Sequence, residues 1–275
     1  IGYGCQYSQA KELERSRYIA NVTGMTFFPT VVDGINFNKS SLLTAVDNVK
    51  PGKNDVVVFY YNGHGFRYKS DTGPYPRLDL TTKGVQLTEY SSIALSDVYD
   101  KIKAKNARLS LVISDCCNSA DPPQLVYGGA VTAASANTLS QANCKQLFLF
   151  SKANIIAAAA SKGQFSLYDP SPGTGGIFST AFLSSLDYHL STFSANPSWN
   201  DILSQTKNQT SLSSSFARCP LANCKYVPVY DIEQPTNFTN NFIRPSTKTT
   251  ATVNKLWIEY DVLENNVKGM RIHVN

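Results

Sequence analysis

Histidine and cysteine are scarce in this sequence, with three of one and six of the other in 275 residues. A zinc site wants four such ligands close together, and His64, His189 and His273 do not cluster along the chain with Cys5, Cys116, Cys117, Cys144, Cys219 or Cys224. No metal site is therefore assigned. Six cysteines are also too few for a disulfide scaffold at this length. Cys219 and Cys224, in "CPLANC", either close a small loop or stay reduced. Charge is thin as well: charged residues are 16% of the chain, and the net +5 is scattered without a Lys/Arg block, which argues against a nucleic-acid surface. The longest apolar runs are six to eight residues, short of a membrane span. No signal peptide is visible, and the first residue is Ile1 rather than Met, so an upstream segment is expected to have been removed or left out. Acceptor sequons at Asn21, Asn38, Asn208 and Asn237 lie in an Asn/Ser/Thr-rich chain where chance supplies most of them.

What remains is an ordinary globular composition, 42% hydrophobic, in a chain that fits one large domain or one domain with a small appendage. Three nearly continuous apolar runs, "DVVVFYY" (55–61), "RLSLVI" (108–113) and "NIIAAAA" (154–160), have the length and β-branching of strands buried on both faces. Helical patterns lie around them. Residues 9–22 place Leu13, Tyr18 and Ile19 on one side, and 38–49 has a Ser or Asn cap before Leu42, Leu43 and Val46. Segments 91–107 and 175–190 repeat the helical spacing, with a further helix at 198–211 and a strand in "KYVPVYDI". Strands alternating with helices predict an α/β sandwich around a mostly parallel sheet. Residues 119–153 read as an extended surface loop. Domain boundaries are expected at 1–243 and 244–275, the latter a linker followed by two strands, "LWIEYDV" and "GMRIHVN", that begin a β domain without completing it.

In parallel sheets, sites form beyond the carboxyl ends of the strands. Two such ends carry chemistry here: "NGHG" after the first run and "SDCCNS" after the second. A thiol attacks an amide as thiolate and needs a base or positive charge beside it. His64 supplies that base and can later protonate the leaving amine. The N–H groups of Gly65 and Cys117 are candidates for an oxyanion hole. Alone, a Gly-flanked histidine reads as a turn residue and a buried cysteine as a small hydrophobe. Their order, their separation of 53 positions and their two strand ends distinguish this pair. Adjacent strand residues point opposite ways, so if Cys117 faces the cleft, Cys116 packs inside.

At these residues the sequence resembles the clan CD cysteine peptidases of the caspase and metacaspase type, closest in flavour to bacterial caspase-like proteins. "YYNGHG" is similar to the family's Y-S-G-H-G, and "SDCCNS" to its D-x-C-x-S, with Cys117 at the nucleophile position. "GGIFSTAFLSSL" resembles the helix after the substrate-binding loops, and the likeness covers roughly residues 1–232. The resemblance implies a caspase-hemoglobinase fold, cysteine endopeptidase activity through a His64/Cys117 dyad, and protein or peptide substrates without a required cofactor. Calcium activates some metacaspases, but no carboxylate cluster here is assignable to a calcium site. Export from a bacterial cytoplasm is implied only by the signals that similar proteins carry.

By the same resemblance Asp115 is the acid of the pocket for the residue before the cut, with Asn62 where metacaspases have a lining serine. Cleavage after Arg or Lys is the expectation, since a carboxylate receives a guanidinium bidentately. The lesser alternative is an aspartate that ties its loop through backbone N–H groups. "GYGCQYS" resembles the family's G-C-x-N-D but has Ser8 where the second acid stands, and Asp79 is a substitute candidate. The family's first strand has no counterpart before "IGYGC", so an upstream piece is expected either to be missing from this sequence or to remain associated after cleavage. Family members are cut in the loop after the nucleophile, and Lys145 and Lys152 are the basic residues of 119–153, hence the candidate processing sites. Two other classes stay open: an inactive caspase-like interaction module, and a thiol hydrolase or transferase acting on small amides.

Overall fold

The computed structural model describes residues 2–81, 87–120, 139–169, 174–215, 226–234, 256–264 and 267–274. It divides into two units, Ile1–Pro235 and Thr236–Asn275, a division that falls a little before the boundary expected at 243. Cys219 and Cys224 lie outside the described residues.

In the first unit, a four-stranded sheet runs β1 (Val56–Asn62), β5 (Leu109–Asp115), β6 (Ala153–Ala158) and β7 (Val229–Glu233). The first three are parallel and β7 is antiparallel to β6. All seven residues of β5 are buried, as its continuous apolar run predicts for a strand covered on both faces. Its alternating side chains feed two cores. Leu109, Leu111 and Ile113 pack with residues of α1 (Gly2–Thr23), α4 (Gln141–Lys145), α5 (Ile177–Leu190) and α6 (Trp199–Ser215). Val112 packs on the other face with Leu42 and Val46 of α2 (Lys39–Asn48) and with Leu95, Val98 and Ile102 of α3 (Leu95–Lys103). The result is an αβα sandwich, α/β as expected.

Local chemistry accounts for several boundaries. The Asn38 side chain accepts the Ser41 N–H at 2.9 Å and starts α2. α3 is shorter than its periodic pattern, because Ser92–Ala94 pair as β4 with β3 (Arg77–Asp79) before the helix begins. β3 in turn pairs with β2 (Gly65–Phe66), so a small antiparallel sheet that the sequence reading did not anticipate follows the His64 turn.

Two expectations need correction. The face that α1 buries carries Ser8, Glu12, Ile19, Ala20 and Thr23, not Leu13 and Tyr18, and Tyr18 is 43% exposed. Polar residues sit inside because α1 borders the candidate site, and Arg15 pairs with Asp187 of α5 at 2.6 Å. The 119–153 segment is not one loop: residues 121–138 lie outside the described residues, but Gln141–Lys145 is helical and continues as a π-helical turn over Gln146–Phe150. Leu147 and Phe148 are buried there, and that packing is what a loop reading missed. Lys145 therefore lies within a helix and Lys152 directly precedes β6, whose first residue, Ala153, donates its N–H to the Arg108 carbonyl.

The second unit contains an antiparallel hairpin, β8 (Leu256–Glu264) with β9 (Val267–Val274), with a register irregularity between Glu259 and Val262. No described helix is long and apolar enough to cross a membrane.

Candidate active site

β1 and β5 pair in register to their ends, Tyr61 opposite Ser114 and Asn62 opposite Asp115. Their exits therefore lie side by side. The Gly63 N–H donates to the Asp115 carbonyl at 3.3 Å, and the chain turns through His64 into β2. The His64 backbone is fixed by neighbours: its carbonyl accepts the Asp79 N–H at 3.0 Å, and the Tyr61 hydroxyl lies 2.7 Å away. The imidazole itself is exposed.

Gly65 then rests directly on the second motif. A Cβ placed there would fall 2.4 Å from Cys116 Sγ and 2.5 Å from the Cys117 carbonyl oxygen, so only glycine permits the approach. That contact joins "NGHG" to "SDCCNS" and puts the Gly65 and Cys117 backbones in one neighbourhood. Cys116 is 2% exposed and packs in the α2/α3 core, while Cys117 is only partly buried.

The turn after Cys117 is held by a residue that sequence reasoning passed over. Asn118, fully buried, accepts from Arg67 Nη1 at 3.1 Å and donates to the Pro74 and Ala160 carbonyls at 2.8 and 3.0 Å. Its backbone pairs with Gln164 beyond β6. Arg67, buried as well, also donates to the Asp71 and Gly73 carbonyls. The turn is thus stitched to the segments that follow both neighbouring strands.

Asp115 lies 5% exposed beneath this turn. Its Oδ1 accepts from the Ser166 hydroxyl at 2.6 Å; its Oδ2 accepts from the Ser179 N–H at 2.9 Å and the Ser179 hydroxyl at 2.5 Å. Ser179 stands in the first turn of α5, where a carboxylate is favoured by the helix dipole and the free N–H groups. Even so, burial raises the Asp115 carboxyl above its ordinary range, against the pull of both serines. Asn62 is nearby, donating to the Tyr60 hydroxyl at 3.1 Å and to the Ser179 hydroxyl at 3.2 Å. Ser8 of α1 accepts the Gly176 N–H at 3.2 Å at the start of α5. The residues expected to line one pocket, Asp115, Asn62 and Ser8, therefore meet around the α5 N-terminus. Asp79 does not join that network, because its carboxylate accepts the Thr81 N–H. Tyr60, Ser166 and Ser179 do join it, and the rule that sites gather beyond strand ends was a usable signal for Ser166, which follows β6.

The Cys117 thiol donates to the Ser166 carbonyl, with sulfur and oxygen 3.7 Å apart, not to His64. Burial pushes this thiol up to about 11, and the Asp115 charge adds to the effect. The resting sulfur is thus a thiol. Among the described residues no three His, Cys, Asp or Glu side chains gather in a way that could hold a metal ion.

Comparison with known families places a caspase domain over residues 10–239, and no curated protein matches the chain. That span takes in β1, β5, the turns that follow them and the helices on both faces of the sheet. With the sandwich built as described and most of its length covered, the chain belongs to the caspase-domain family of peptidases.

Proposed function

We propose that the protein is a cysteine endopeptidase in which Cys117 is the nucleophile, His64 the general base and acid, and Asp115 the acid of a pocket for Arg or Lys. The contact of Gly65 with the Cys116–Cys117 peptide carries this reading, because it ties the histidine turn to the thiol turn at adjacent strand ends. In the reaction His64 takes the thiol proton as sulfur adds to the scissile carbonyl carbon. The Gly65 and Cys117 N–H groups receive the oxyanion. The imidazolium then protonates the departing amine, leaving a thioester, and water activated by His64 hydrolyses it to the free acid and thiol. For this the thiol leaves the Ser166 carbonyl and turns to His64. Basic specificity is supported by Asp115, with Asn62 and Ser8 as neutral polar lining.

One observation favours a second reading, an inactive interaction module: the thiol is engaged by a carbonyl and pushed up, which suits a residue that does not react. Hydrolysis of fluorogenic peptides with Arg, Lys, Asp or Asn before the cut, with and without calcium, decides between them. The proposal expects turnover of the Arg and Lys peptides, lost in Cys117→Ala and in His64→Ala and kept in Cys116→Ala. A folded protein that cleaves none of them is the module. Loss in Cys116→Ala with activity kept in Cys117→Ala reassigns the nucleophile.

A further inference from the structure

Residues 159–169, which follow β6, form a strap that is fastened at two points. The Gln164 carbonyl accepts the Asn118 N–H at 2.9 Å, and the Asn118 carbonyl accepts the Gly163 N–H at 2.8 Å. Farther along, the Leu167 carbonyl accepts the N–H of Ile177, the first residue of α5, at 3.0 Å. Ser166 lies between these anchors. It spends its two polar ends on the two side chains to which the proposed function gives a role: its carbonyl on the Cys117 thiol, its hydroxyl on Asp115 Oδ1.

We propose that Ser166 is a positioning residue that couples filling of the Asp115 pocket by a basic side chain to release of the Cys117 thiol. The inference rests on the peptidase reading and names how that same site distinguishes its substrates. The Ser166 contact engages the sulfur with a carbonyl and not with His64, so it keeps the thiol from the base that would take its proton. Asp115 Oδ2 already holds both donors of Ser179, which leaves Oδ1, the partner of the Ser166 hydroxyl, as the place where an arriving guanidinium competes. A charge-assisted N–H to carboxylate bond is stronger than one from a neutral hydroxyl, so the cation displaces the serine. With its hydroxyl unfastened, Ser166 no longer holds its carbonyl against the sulfur, and the thiol turns to His64. A substrate with a neutral or acidic residue at that position leaves the strap closed. Discrimination then appears in kcat more than in KM, since the bound but mismatched substrate meets a protonated thiol.

The test is alkylation of Cys117 by iodoacetamide in the intact chain, followed by mass spectrometry of the Cys117 peptide as a function of pH, with and without agmatine. Agmatine carries a guanidinium and no scissile bond. In wild type, agmatine is expected to speed alkylation at neutral pH by roughly three- to tenfold, through a larger thiolate fraction. Ser166→Ala is expected to react at the faster rate without agmatine, to ignore it, and to show an alkylation profile displaced to lower pH. Ser166→Thr, which keeps the hydroxyl, restores the wild-type pattern. No acceleration of wild type by agmatine overturns the coupling even if Ser166→Ala fails to fold. So does a folded Ser166→Ala that behaves as wild type. Peptide hydrolysis read in parallel separates the two claims: the alkylation pattern without hydrolysis defeats the peptidase reading alone, and hydrolysis of basic peptides without that pattern defeats the coupling alone.

Discussion

Gly65 and Cys116 are packed so closely that a single added methyl group on the glycine would stand 2.4 Å from the cysteine sulfur. The contact is between the histidine turn and the end of β5, so its volume sets how near the two motifs come. Gly65→Ala is expected to lose at least tenfold in peptide hydrolysis and roughly 1–3 kcal/mol in stability, the usual range for overpacking. Trimming the sulfur does not rescue it. The Cys117 carbonyl, 2.5 Å from the same position, is backbone and stays in Gly65→Ala/Cys116→Ala. Urea unfolding and hydrolysis rates of the single and double variants check both statements.

Asn118 follows the thiol and makes three side-chain hydrogen bonds while fully buried. Asn118→Ala leaves the Pro74 and Ala160 carbonyls and one Arg67 N–H without those partners. The expected cost is about 3 kcal/mol, since each buried group left unpaired carries a desolvation penalty of its own. Thermal unfolding measures it, and a change of less than about 1 kcal/mol would show that the stitching is not what holds the turn.

Asp115→Asn tests the acid from the structural side. Three donors converge on the carboxylate, two on one oxygen, and an amide must present its own N–H groups to at least one of them. A loss of about 2–3 kcal/mol is expected, together with loss of any preference for Arg and Lys peptides over Asn peptides. Retained preference in the folded variant removes Asp115 from the specificity pocket.

A pH effect on stability arises away from the thiol. Glu12 is buried in α1, and burial raises its carboxyl from 4.5 to about 7, with Asp187 adding to the rise and Arg15 opposing it. Asp187 is itself pushed up to about 6 by burial against the pull of Arg15. A carboxyl with a raised folded-state pKa binds its proton more tightly in the native state. Its contribution is therefore fully present below the unfolded value and is lost as pH rises through the folded one. Wild type is expected to lose stability relative to Glu12→Gln between pH 4.5 and about 7, by up to about 3 kcal/mol, and to run parallel to it above that window. Chemical denaturation across this range is the measurement. A constant difference between the two proteins would refute the assignment.

Much of this architecture is legible in the chain because burial on two faces writes a continuous apolar run. β1, β5 and β6 announce themselves that way, and the positions just past their ends contain His64 and Cys117. The polar framework is not written so. Tyr60 and Ser179 are bonded across 119 positions, and Ser166 reaches Asp115 across 51. In a serine-rich chain nothing local marks which hydroxyls will be buried. α1 shows the same effect in reverse: Ile19 of its apolar face is buried as its spacing predicts, but docking beside the site buries Ser8 and Glu12 as well, while Tyr18 stays exposed.

The sequence by itself determined the order of the central sheet's strands and of the long helices, the two strand-end motifs and the side of the chain on which each cysteine falls, because those follow from periodicity and from the alternation of strand side chains. Only the tertiary structure decided the state of the reactive groups. Whether Cys117 rests as thiol, and whether Asp115 stands open or already satisfied, depends on the strap and helix folded over them. Burial and hydrogen bonding set the cost of a charge, and both are properties of neighbours distant in sequence.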